Sequence, residues 1–212
     1  TNSTQPKKIN STFSGSTTSF KIETDTLREF VAFELSNTLS PILTGDGTGT
    51  VENQNLHGTS GNIDMVIFTH PNFLSQAQEL AEIHRLNDNL IVSVVTTEQV
   101  YNEFSSGMPD VSAIKYFMKM IYERGGSDPV KYLLLFGDGS YKNKGSELNN
   151  NNFILTYQSD TSTNENNTLT FVSDDYFGLL DDNEGEYTGL LDIGIGRFPV
   201  KTNTEASNMI DK

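Results

Sequence analysis

Lys131-Tyr132-Leu133-Leu134-Leu135-Phe136-Gly137-Asp138-Gly139-Ser140 sets five large apolar side chains in a row and closes them with a Gly-Asp-Gly turn. A run of strand length without polar alternation predicts a strand covered on both faces, the condition of a parallel sheet with helices above and below. The same pattern recurs upstream. Ile63 to Thr69 is a first strand, stopped by Pro71, and Leu90 to Val95 is a second, rich in β-branched residues. Between them Phe73, Leu74, Ala77, Leu80, Ala81 and His84 recur at three and four residues, the spacing of one helix face. Thr97 is placed to cap a short helix through Phe104. Asp110 caps a longer one whose buried face is Ile114, Phe117, Met118 and Ile121 and whose end is Gly125-Gly126. Strands alternating with helices in this order make an α/β domain.

Downstream, Lys142 to about Thr168 is polar and reads as a long surface loop holding one short strand at Phe153 to Leu155. Phe171-Val172, Tyr176 to Leu180 and Leu190 to Gly196 are further strand candidates, the last two separated by the acidic turn Asp181 to Glu186. Thr202-Asn203-Thr204-Glu205 has the form of a capping box, and the helix it opens runs only about two turns before Lys212, which predicts that the polypeptide continues. Residues 1 to 60 differ in kind. They are rich in Ser, Thr, Asn and Gly, with alternation in Ser19-Phe20-Lys21-Ile22-Glu23, an apolar stretch at Phe30 to Leu35 and linker chemistry at Gly45 to Thr50. They predict a short β-rich extension that packs onto something else and carries no catalytic motif. The α/β domain then occupies 61–212.

The 212 residues hold 14 Lys plus Arg against 28 Asp plus Glu, a formal charge of −14. That sign opposes a phosphate backbone or an anionic membrane surface, so no nucleic-acid partner is expected. The apolar runs are far shorter than the roughly 20 residues of a membrane span, so this segment does not insert. There is no cysteine, which removes a thiolate nucleophile and a Cys-ligated zinc site from this stretch of chain. A charged fraction of only 20% beside abundant Asn, Ser, Thr and Gly leans toward an exported protein.

In an open parallel sheet, ligands gather beyond the carboxyl ends of the strands, which points to Asp138, Ser140 and His70. Asp138 can hold a metal or orient a partner; it can equally satisfy the backbone donors of a tight glycine-flanked turn. Ser140 lacks the nucleophile elbow, because Asp138 and Lys142 stand where its glycines belong. His70, in Thr69-His70-Pro71, suits local packing at a strand end. With only three scattered histidines, zinc hydrolysis has little support. Gly194-Ile195-Gly196-Arg197-Phe198-Pro199 fails the dinucleotide fingerprint because Pro199 replaces its last glycine. Ser173-Asp174-Asp175-Tyr176 and Asp181 to Glu186 offer hard oxygen ligands of the kind Ca²⁺ takes. The second cluster lacks EF-hand spacing and reads first as a solvated acidic turn, whereas the apolar neighbours of Asp174 and Asp175 suggest partial burial.

Five blocks taken together carry a resemblance. They are Asp64 to Pro71, Val95 to Gly107, Leu133 to Tyr141, Val172 to Gly178, and Asp192 to Val200. In this order and spacing the chain resembles the gingipain family of cysteine peptidases over about residues 55 to 212. The resemblance implies a caspase-like α/β domain in two sheet-bearing halves, of which this is the first. The family's catalytic Cys and His lie in the second half, so no catalytic residue is assigned here. It further implies Asp138, Asp174 and Asp175 as metal or domain-joining residues with a structural Ca²⁺. The activity implied is sortase-like processing of secreted cargo in type IX secretion, at the outer-membrane face, on the cell surface or in the medium. Protein substrates bearing C-terminal sorting signals, secretion-system subunits and the second half of the same domain are the implied partners. The alternative reading is a non-catalytic extracellular α/β module that binds a divalent cation and a protein partner.

Overall fold

The computed structural model describes residues 7–23, 25, 27–38, 53–141, 143, 151–159, 171–185 and 188–211. The chain divides into two compact units, Thr1–Glu52 and Asn53–Lys212. In the first, β1 (Ser11–Ser14) and β2 (Thr17–Phe20) form an antiparallel hairpin that turns at Gly15, whose φ of +58° suits a residue without Cβ. Phe20 packs its ring 5.3 Å from Phe30, while Phe13, Leu27, Val31 and Phe33 stay exposed. The strand expected over Ser19 to Glu23 thus ends at Phe20, and the Gly45 to Thr50 run lies outside the described residues.

The second unit is built on a four-stranded parallel sheet in the order β4 (Val92–Thr96), β3 (Met65–Thr69), β5 (Tyr132–Phe136), β8 (Gly194–Phe198). Ile67 lies opposite both Val94 and Leu134, and Leu134 opposite Gly196. All five β3 residues are buried, which is why this strand shows no alternation in sequence. Successive side chains leave on opposite faces. Met65, Ile67, Leu134 and Phe136 join Phe73, Ala77, Leu80 and Ala206 in one core under α1 (Leu74–Asn87) and α4 (Asn203–Ile210). Val66, Phe68, Leu133 and Leu135 join Val100, Ile114, Phe117 and Ile121 in the other, under α2 (Thr97–Phe104) and α3 (Val111–Gly125). The expected helix stripes are therefore the observed core faces, except that Leu74 is only half-buried and His84 pairs with Asp88 at 2.7 Å at the rim.

Local signals were read with small shifts. Thr96, not Thr97, caps α2, because Gln99 must stand three residues on for both halves of the box to close. Asp110 caps α3 through Ser112 N at 2.7 Å, and the helix stops at Gly126 in the left-handed region. Thr202 accepts from Glu205 N, but the Glu205 carboxylate takes Lys201 N at 2.7 Å instead of the cap's own donor. Two strand expectations fail. Tyr176 to Leu180 is a 3₁₀ turn at Asp175–Gly178, begun by Asp175 N on Ser173 Oγ at 3.0 Å, and its apolar side chains are buried consecutively without pairing. Phe153 to Leu155 is irregular; the short antiparallel pair is β6 (Tyr157–Gln158) with β7 (Val172–Ser173).

Residues 53 to 61 form a strap across α2 and α3. Glu103 accepts from Leu56 N (2.6 Å), His57 N (2.9 Å) and Gln54 Nε2 (2.9 Å), and meets His57 Nδ1 at 2.7 Å. Burial pushes the Glu103 carboxyl up, but these donors outweigh it and hold it at about 2. Arg124 bonds the carbonyls of His57 and Thr59, both at 2.8 Å, and His57 stacks on Phe104.

Candidate functional site

The carboxyl ends of β3, β5 and β8 lie side by side, where ligands enter such sheets. Thr69 Oγ1, fully buried, bonds Phe136 O across the gap. Beyond β5 the chain stays pinned. Gly137 N bonds Phe198 O and Asp138 N bonds Val200 O, both at 3.0 Å, and Ile154 N returns to Asp138 O at 3.0 Å. Ser140 N takes Asn152 Oδ1, Thr156 Oγ1 donates to Ser140 O, and Asn143 links Asn152 to Thr156 O. Ser140 is thus part of a polar clasp closing the long loop.

Two of the three expected metal residues face side-chain cations. Asp138 lies 3.3 Å from Lys201 Nζ. Both Asp174 oxygens accept from Arg197, at 2.7 Å each from Nε and Nη2. Asp175 is exposed. These carboxylates do not converge as a trio. Among the described residues the acidic group that does converge is Asp181, Glu184 and Asp192, with ligand atoms all within 4.8 Å of one another. It draws its first two members from the acidic turn that the sequence reading treated as solvated. Asp192 Oδ2 accepts from Leu180 N and Glu184 Oε1 from Leu190 N, and among the described residues the buried Glu184 Oε2 has no hydrogen-bond partner. Two lysines of α3 tie the same loop down. Lys119 Nζ donates to Leu180 O at 2.6 Å and pairs with Asp182, while Lys115 Nζ donates to Glu184 O over the Tyr176 ring. Burial lowers the Lys115 pKa, with Glu184 opposing.

His70 caps the 3₁₀ turn Pro71–Phe73, its Nδ1 accepting from Asn72 N at 3.2 Å, with its ring edge-on to Phe153 at 5.1 Å. Burial lowers its pKa, against a smaller opposing pull from Glu98. The neutral ring is therefore the native form, so its contribution is complete above the ordinary value near 6.5 and fades as pH falls through that value and below. Melting temperature measured from pH 7.5 to 5.5 is expected to fall by a few degrees in the wild type and by less in His70→Gln; equal slopes would remove His70 from the acid response. His57 and His84 are bound to Glu103 and Asp88. The three histidines thus serve capping and pairing, and the chain holds no cysteine.

The family comparison gives the class: residues 58–212 match the model of peptidase family C25, and the chain belongs to that family, the gingipains. Among solved structures it is similar to dimeric latent PorU from Porphyromonas gingivalis, at 38% identity and a TM-score of 0.67, over 77% of this chain and 16% of that one. A second likeness is to the complex of Porphyromonas gingivalis RgpB pro- and mature domains, at 20% identity and a TM-score of 0.46, over 69% of this chain and 27% of that one. The chain therefore spans about a sixth of the PorU chain it matches. No curated protein matches it. The fold is the caspase-like α/β arrangement of this family.

Sequence reasoning missed three features. The sequence reading places Arg197 in a failed glycine fingerprint and in the last of the five resembling blocks but gives it no partner, although a lone cation in an otherwise uncharged strand already signals one. Asp192 was read as a strand residue. The Glu103 strap joins residues 46 to 49 apart, a pairing that no local pattern announces.

Proposed function

We propose that this chain is the first half of a gingipain-type cysteine peptidase domain that trims C-terminal sorting signals from secreted cargo at the bacterial cell surface, as part of type IX secretion. The carrying observation is the 38% identity to PorU over 77% of the chain, beside a cysteine-free sequence. In this reading a Cys thiolate supplied by the second half attacks the cargo carbonyl and a His there takes up and returns the proton. The acyl group then passes to water or a surface acceptor, with the bond to the sorting signal broken. The half described supplies the rigid sheet and the loops beyond its carboxyl ends. The full-length protein, incubated with a reporter ending in a sorting domain, should release that domain as a defined mass. A reporter left intact by folded protein would end the processing reading.

We place a structural Ca²⁺ at Asp181, Glu184 and Asp192, supported by the buried, unbonded Glu184 Oε2. A hard cation of oxygen preference would satisfy that atom. Binding at a hundredfold excess over Kd stabilises by about 2.7 kcal/mol, and at roughly 2–4 °C per kcal/mol for a chain of this size the melting temperature should rise by about 5–10 °C. Glu184→Gln and Asp192→Asn should abolish the rise. No shift in the wild type would remove the metal from the account.

A further inference from the structure

Arg197 sits on β8 opposite Leu135, one residue short of the strand's carboxyl end. All five of its N–H groups are used. Besides the two bonds to Asp174, Nη1 donates to Gly137 O (2.9 Å) and Ile154 O (3.2 Å), and Nη2 to Leu155 O (3.4 Å). One guanidinium therefore joins three separate stretches: the turn leaving β5, the return of the long loop, and the Asp174 turn. Its side chain is 13% exposed, so these bonds are shielded from water and salt. Gly139 confirms how closely the turn approaches: a Cβ there would lie 2.8 Å from Ile154 O and 3.0 Å from Arg197 Nη1. A lysine could not reproduce this, having one point charge in place of a planar fork.

We propose that Arg197 is a positioning residue for substrate docking, holding these three loops as one surface beyond the carboxyl end of the sheet. The inference rests on the peptidase reading above. Because Arg197 touches none of the reacting groups that reading invokes, its loss weakens substrate and transition state alike and appears in KM.

The test uses the full-length protein with a peptide substrate, comparing wild type, Arg197→Lys, Arg197→Met and Asp174→Asn below their melting temperatures. Arg197→Met is expected to raise KM at least tenfold with kcat changed less than threefold, Arg197→Lys to fall between, and Asp174→Asn to raise KM several-fold. Hydrogen exchange of the same variants should quicken at residues 137–141, 153–156 and 172–176 and leave α1 and β3 unchanged. If Arg197→Met does not fold, Asp174→Asn, which keeps the three carbonyl bonds, decides. An active wild type with KM unmoved in a folded variant, or a loss confined to kcat, overturns the inference alone. An inert wild type overturns the peptidase reading and the inference with it.

Discussion

Gly61→Ala is expected to lower the melting temperature by about 6–12 °C, from a loss of about 3 kcal/mol at roughly 2–4 °C per kcal/mol. A Cβ at this buried glycine would lie 2.1 Å from the carbonyl carbon of Arg124 and 2.3 Å from Gly125 N. Those are backbone atoms in the last turn of α3, so no rotamer change relieves the overlap. Either the helix end distorts or the strap lifts. Lifting it would break the Glu103 and Arg124 bonds that hold residues 54 to 59. Asn62→Ala, one residue on and exposed, should stay within about 0.5 kcal/mol of wild type, since surface changes seldom do more. Equal melting temperatures for Gly61→Ala and wild type would show that the strap is not seated on α3.

Phe117→Ala should cost about 3–5 kcal/mol, the usual toll of truncating a buried ring, and more than 6 °C in melting temperature. Phe117 is 1% exposed, meets Phe104 edge-on at 5.6 Å, and lies in the core that joins α2 and α3 to the sheet. The loss reaches further than the cavity, because α3 also carries Lys115 and Lys119, which anchor the acidic loop. If the acidic loop holds the Ca²⁺ proposed for it, the variant should show a weakened response to the ion alongside its lower stability, read by repeating the melt with and without calcium. Phe117→Leu, which keeps most of the volume, should lose about 1.5 kcal/mol or less. Similar melts for the alanine and leucine variants would mean that this ring fills no tight space.

The elements that were legible are those whose periodicity had one reading. Lys131 to Phe136, of strand length and closed by a glycine turn, forms the covered strand it suggests, and Asp110 with Gly125-Gly126 brackets α3 because caps and left-handed glycines carry strong local preferences. Tyr176 to Leu180 was misread because a continuous apolar run suits a buried strand and a buried 3₁₀ turn equally, and Ser173 Oγ decided for the turn. Thr96 and Thr97 both offer a hydroxyl; only the Gln99 partner distinguishes them.

The site was less legible for a physical reason. Carboxylate density marks where cations are attracted, but whether the cation is a metal, a lysine or a guanidinium depends on residues distant in sequence. Asp174 finds Arg197, 23 residues on, and Asp138 finds Lys201. Asp181 and Glu184 instead converge with Asp192, leaving one oxygen unbonded. The strap over residues 53–61 is hidden for the same reason, since composition alone does not reveal a carboxylate waiting on another helix.

The most direct measurement compares peptide hydrolysis by the purified 212-residue chain with that by the full-length protein, each before and after thiol alkylation. The account predicts no turnover by the chain, and turnover by the full-length protein that alkylation abolishes. Hydrolysis by the chain on its own, unaffected by the alkylating agent, would contradict it, because a polypeptide without a thiol would then be performing the cleavage assigned to one.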